Sequence, residues 1–195
     1  GGVEGPAGLT VEGRDVSQRI APKRVADLVI RIAGRCAEAG DPLAVEPLAS
    51  LLSARVPKQC RAAAAEALGR IGDARAMPAL IQALGDQAFG VRQAAIQALQ
   101  GSGPEAVEPL VRALADRWVP IRRLGAAQAL AHHGDLRALP VLIQALMDRH
   151  SAAPRSAAKA LGPLGAPAVA PVLQVLSSGN RPTRRAALSA MEHLG

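Results

Sequence analysis

The chain has 195 residues, 49% of them hydrophobic, with one Phe, one Trp, no Tyr and a formal net charge of +7. No apolar run reaches the roughly 18 residues that a membrane-spanning helix needs. Cys36 and Cys60 stand far apart with no His nearby, which makes neither a metal motif nor a disulfide framework and fits a reducing, cytoplasmic setting. The 42 alanines, against few Ile, Thr or aromatic residues, favour an all-α chain, because Ala is the strongest helix former and strand formers are scarce.

Residues 1–16, which begin Gly1-Gly2-Val3-Glu4-Gly5-Pro6, are expected to be a flexible lead-in outside the fold. The stretch from Ser17 to Ala39 places Val25, Leu28, Val29 and Ile32 at helical spacing, so it predicts one amphipathic helix with those residues on its buried face. Gly40 ends it where a left-handed residue is wanted. This helix, over 17–40, is expected to cap an array that occupies 41–195.

The array is announced by a proline that recurs at Pro47, Pro78, Pro109, Pro140 and Pro171, every 31 residues. A fixed period in that range marks a solenoid. Five two-helix units follow, at about 41–72, 73–101, 102–134, 135–165 and 166–195. Asp41, Asp73, Ser102 and Asp135 are the expected N-caps, while the fifth unit, starting Gly165-Ala166-Pro167, lacks one. The periodic prolines lie deep enough to predict a kink in each first helix, helix A. Helix A carries Leu48, Leu51 and Leu52 and their equivalents up to Val172, Leu173 and Leu176. Helix B, starting near Pro57, Gly90, Pro120, Ala153 and Pro182, carries a small-residue core such as Ala94, Ala95, Ala98 and Leu99, ending with Ala186, Ala187, Leu188 and Met191. Neither helix can bury its face alone, and stacked neighbours make one core.

The run Gly72-Asp73-Ala74-Arg75-Ala76-Met77-Pro78-Ala79-Leu80-Ile81-Gln82-Ala83-Leu84-Gly85-Asp86, followed by Val91-Arg92 and the Ala-rich helix to Leu99, resembles HEAT-like repeats. The subtype is the one found in phycobilisome bilin lyases. The resemblance implies a right-handed α-α superhelix with helix B on the concave side and a rod of roughly 50 Å, at about 9–10 Å per packed layer. It does not fix function, since such repeats serve scaffolds, lyase subunits, hydroxylases and DNA-binding proteins. Repeat four departs from the pattern, with Pro154 where earlier repeats have Arg61, Arg92 and Arg123. Leu188, Met191 and Leu194, in the last helix, are expected to be covered by a partner or by further chain.

No catalytic grouping emerges. The family's hydroxylase branch holds di-iron through His-Glu pairs, whereas this chain has only the reversed Glu192-His193, and His132-His133 at a helix end fit a dipole interaction. Its glycosylase branch uses several Trp on a basic face, and here Trp118 stands alone. There is no Walker loop or dinucleotide fingerprint, and no cofactor is expected.

The informative departure is charge. Residues 109–195 hold eleven basic and four acidic groups, which equals the whole net charge. Asp86, Asp116 and Asp148 at the ends of helix A predict a ladder of ion pairs with arginines at the start of helix B, Arg61 and Arg92 foremost. The later repeats hold more cations than those aspartates can pair. Arg117, Arg122, Arg123, Arg149, Arg155, Lys159, Arg181, Arg184 and Arg185, with Trp118, are therefore the candidate partner-binding residues. Phe89 and Trp118 are expected either to pack on neighbouring turns or to anchor a partner. Gln93, Gln97, Gln100, Gln128, Lys159 and Ser189 are expected to give the concave side a polar surface. The sequence predicts a non-catalytic protein-binding scaffold that uses the concave face and a basic C-terminal edge. Nucleic-acid binding is the alternative and a bilin lyase-like subunit the second.

Overall fold

The structure, a computed structural model, describes residues 22–53, 55–116, 119–148 and 153–195. Among them every regular element is helical. Helix α1 (Pro22–Ala39) is followed by five pairs: α2 (Val45–Ser53) and α3 (Lys58–Ile71); α4 (Met77–Ala83) and α5 (Phe89–Gln100); α6 (Val107–Leu114) and α7 (Pro120–His132); α8 (Leu139–Leu146) and α9 (Ala153–Leu161); α10 (Ala166–Ser178) and α11 (Arg181–Leu194). The first member of each pair is helix A and the second helix B. Successive B helices pack on one another more closely than successive A helices, so the B layer is the inner side of an α-α superhelix. The first part of the predicted cap helix, before Pro22, lies outside the described residues.

The periodic prolines do not kink helix A in repeats one to four. Helix A is built in two pieces there, a single 3-10 turn (Pro42–Ala44, Ala74–Ala76, Pro104–Ala106, Leu136–Ala138) and then the α-helix. Pro47, Pro78, Pro109 and Pro140 fall within the first turn of the α-helical piece, where a backbone N–H has no intrahelical acceptor and its absence costs nothing. Only Pro171 lies inside a continuous helix. The last residue of each 3-10 turn is a buried alanine, Ala44, Ala76, Ala106 or Ala138, which lets the turn sit against the inner layer.

Asp41, Asp73 and Asp135 cap these turns as expected, accepting 2.9 Å bonds from the N–H groups of Leu43, Arg75 and Arg137. Ser102 does not. Its hydroxyl donates to the Ala98 carbonyl at 3.0 Å, and Gly103 occupies the cap position. In α11, Asn180 accepts from Thr183 N–H at 3.0 Å.

One apolar core runs the length of the array. Leu68, Leu99, Leu130 and Leu161, spaced by 31 residues, are fully buried, each stabilising the fold by roughly 1.5–3 kcal/mol relative to an exposed side chain. Leu173 and Leu188, expected in the core, are exposed, and Val175 and Ala190 are buried in their helices instead; Ala187 is buried as expected. Helix α1 also differs from expectation. Leu28 and Ile32 are 48% and 51% exposed, and Ala33 and Ala37 are the buried residues. Helix α1 lies close against α3, and close approach selects small side chains over the apolar periodicity.

Candidate functional site

The inner face is set by how closely neighbouring B helices approach. Between α3 and α5 the contact is made at Gly69, where a Cβ would stand 2.6 Å from the Ala98 Cβ and only Gly fits. Between α9 and α11 a Cβ on Gly162 would meet the His193 carbonyl oxygen at 2.8 Å. One and two periods after Gly69, the same position holds Gln100 and Ala131. Helices α5, α7 and α9 accordingly pack less closely on one another than α3 on α5 or α9 on α11.

The ion pairs follow the same division. Arg61 on α3 reaches Asp86, at the end of the next helix A, through two bonds of 2.8 and 3.0 Å, and also donates to the Val56 carbonyl at 2.6 Å. Burial pushes the Asp86 carboxyl up, but the Arg61 guanidinium, the Ala88 N–H and the charge of Arg92 outweigh it and hold the group below the usual carboxylate range. The predicted equivalent at Arg92 does not form. Asp116, which ends its helix A as Asp86 does, is taken by Arg122 of its own repeat, and Arg92 donates instead to the Asp86 and Gln87 carbonyls at 2.9 Å. Arg122 pairs with Asp116 of its own repeat at 2.7 Å, and Arg123 reaches the amide oxygen of Gln144 at 3.4 Å.

On the outer side, Arg75 grips Asp73 and donates to the Pro42 carbonyl of the preceding repeat at 3.0 Å. Arg137 grips Asp135 and bonds Glu108 of its preceding repeat at 3.0 Å. The Arg75 guanidinium and backbone N–H hold the Asp73 carboxyl down at about 2.

Where the B helices stand apart, a groove of about 710 Å³ opens between α5, α7 and α9, with α8 forming part of its wall. Ile96, Leu124 and Val141 line its depth. Phe89, Ile121 and Met147 stand at its edge, 61%, 42% and 47% exposed. Arg92, Gln93, Arg123, Gln128, Gln144 and Asp148 supply its polar groups. The Arg92 guanidinium sits 5.6 Å from the centre of the Phe89 ring.

The predicted binding residues separate into three groups. Arg122 and Arg123 are partly buried, Arg122 in an ion pair and Arg123 in the groove wall. Arg155 and Lys159, one turn apart on α9, and Arg181, Arg184 and Arg185 on the adjoining α11 are exposed, and no ion pair to any of them occurs among the described residues. Arg117, Trp118 and Arg149 lie outside the described residues. Of the polar residues expected on the concave side, Gln93 and Gln128 line the groove. Sequence reasoning missed the groove itself, and Ile121, Leu124 and Met147 with it.

Among the described residues, no group of three or more His, Cys, Asp or Glu is placed to hold a metal ion. No helix there is long and apolar enough to cross a membrane. Cys36 and Cys60 are free thiols.

No curated protein matches the sequence significantly. Solved structures are similar to it. The complex of CpcE and CpcF of phycocyanin lyase from Nostoc sp. PCC7120 is 22% identical over 95% of this chain and 82% of that one, with a TM-score of 0.52. A designed armadillo repeat protein, solved with the peptide (KR)4, is 18% identical over 91% of this chain and 96% of its own, with a TM-score of 0.49. At such identities the likeness is one of fold. The sequence itself matches the family model for HEAT repeats three times, over residues 19–100, 45–131 and 123–192, and the chain belongs to the HEAT repeat family.

Proposed function

We propose that this chain is a protein-binding scaffold that works through its inner, B-helix face, with α1 capping the array and no chemistry of its own. One observation carries the reading. The inner face holds an open apolar groove whose large side chains Phe89, Ile121 and Met147 are left uncovered, and concave apolar surface of this size marks an interaction site on a soluble protein. The HEAT repeat fold supports it as an extended, curved surface. A photo-reactive amino acid placed at Gln97 on the inner side and, separately, at Gln82 on helix A tests it in cells that express the full chain. The expected result is one discrete cross-linked protein from position 97 and none from position 82. Equal labelling from both positions, or none from either, overturns the reading.

A second reading, polyanion binding, is favoured by the exposed cluster of Arg155, Lys159, Arg181, Arg184 and Arg185. It predicts affinity for single- or double-stranded oligonucleotides that falls steeply between 50 and 200 mM salt in proportion to the phosphates neutralised. Absent or salt-insensitive binding dismisses it. The lyase-like reading has only likeness of fold behind it.

A further inference from the structure

The groove between α5, α7 and α9 has a chemistry that selects among protein partners. Its depth is apolar, and three of the nine exposed large apolar residues among those described gather at its edge. Its volume, about 710 Å³, is in the range that accommodates several side chains or a compact ligand. Its charge is one-sided. Among the described residues the hydrogen bonds of Arg92 go to carbonyl groups and that of Arg123 to an amide oxygen, and the Arg123 Nε–H is buried with no acceptor. Asp148 is the single carboxylate among the described residues that line the groove. Beyond it, α9 continues the basic character through Arg155 and Lys159, both exposed.

We infer that the groove binds an acidic peptide segment of a partner protein, one that carries bulky apolar side chains between its carboxylates. The apolar side chains would take up the space bounded by Phe89, Ile121 and Met147, withdrawing those residues from water. Carboxylates flanking them would meet Arg92 and Arg123, whose bidentate geometry suits such groups, and then Arg155 and Lys159. A nucleic acid fits this place less well, because the lining is mostly apolar and would face phosphates with few cations. The inference rests on the scaffold reading above and names its site and partner chemistry.

The test is selection of random 12-residue peptides displayed on phage against the full chain, followed by anisotropy titration of the enriched sequences as labelled peptides. Enrichment of Asp and Glu together with Leu, Phe or Trp is expected. Phe89→Ala should weaken the enriched peptide at least about tenfold, as for a buried aromatic anchor. Arg92→Gln and Arg123→Gln should each weaken it about three- to tenfold and flatten its salt dependence. Unfolding midpoints of the three variants, compared with the parent, separate lost binding from lost folding. If Arg123→Gln unfolds, Arg92→Gln carries the charge test. Enrichment of basic sequences, no enrichment, or affinity indifferent to both Phe89→Ala and Arg92→Gln overturns the inference. Oligonucleotide binding lost in Phe89→Ala overturns it in favour of nucleic acid. Cross-linking from position 97 that persists in the groove variants would leave the scaffold reading standing while the groove inference falls.

Discussion

The first and second repeats, and the second and third, are joined at the same register positions with opposite results. At the first joint Gly69 lets α3 and α5 touch, Arg61 holds Asp86 through two bonds, and Arg75 reaches back to the Pro42 carbonyl. At the second, Gln100 stands in place of the glycine, Asp116 is held by Arg122 of its own repeat, and Glu105 stands in place of Arg75. The chain between α5 and α6 also lacks the left-handed glycine that ends α3, with φ of −80° at Gly101 against +69° at Gly72. The lesson is that a solenoid can open a binding groove by relaxing one joint, with no new element added.

The largest expected effect comes from overfilling the tight joint. Gly69→Val should lower stability by about 3 kcal/mol, because the new side chain meets Ala98 where the helices already touch. Gln100→Ala, at the matching place in the open joint, should stay within about 0.5 kcal/mol. Urea unfolding midpoints of the two variants compare the joints directly, and equal costs would break the distinction. Next comes the buried ion pair. Asp86→Ala should cost about 2 kcal/mol, since it strands a guanidinium with little access to water, though less than a fully buried pair would lose.

A smaller effect is expected in acid. Asp86 titrates below its unfolded value of about 3.9, so its contribution is present above that pH and is lost as the pH falls through the folded value. The unfolding midpoint should therefore drop below about pH 4. Asp86→Asn should make that drop shallower without abolishing it, because Asp73 and Asp135 are also held down by their arginines. An identical pH profile in parent and variant would show that the joint's ion pair does not contribute to folding. The smallest effect is at Phe89, whose ring is largely exposed and carries the Arg92 guanidinium at its face. Phe89→Ala should change stability by about 0.5 kcal/mol or less, measured by the same midpoint.

The fold was legible because its signal is repeated. Five prolines at one spacing, and alanines where B helices meet, point to the same architecture. The site was less legible because it depends on differences between repeats, and those act through pairs. Arg92 looks like Arg61 until the aspartate each would reach is considered: Asp86 is paired with Arg61, whereas Asp116, at the equivalent place, is held by Arg122 of its own repeat. The arginine count suggested a continuous basic edge, yet Arg122 is occupied by Asp116 and Arg123 lies in an apolar wall. Leu28 and Ile32 had the right period for burial, but α3 comes so close that alanines were required on the face that meets it. Periodicity reports which residues share a face and not how near the neighbouring helix stands.

The start of helix A recurs in shared forms along the array. Pro42-Leu43-Ala44-Val45-Glu46-Pro47-Leu48 is echoed by Pro104-Glu105-Ala106-Val107-Glu108-Pro109-Leu110, whereas Gly72-Asp73 is echoed by Gly134-Asp135. The latter two seams are superposable in their dihedrals, with φ of +69° and +72° at the glycines and −80° and −81° at the aspartates. Gly40-Asp41 closes the first seam in the same way, with φ of +61° at the glycine and −73° at the aspartate. A cut after Gly72 rejoined at Asp135 would therefore restore the same backbone turn and the same cap, and so would a cut after Gly40 rejoined at Asp73.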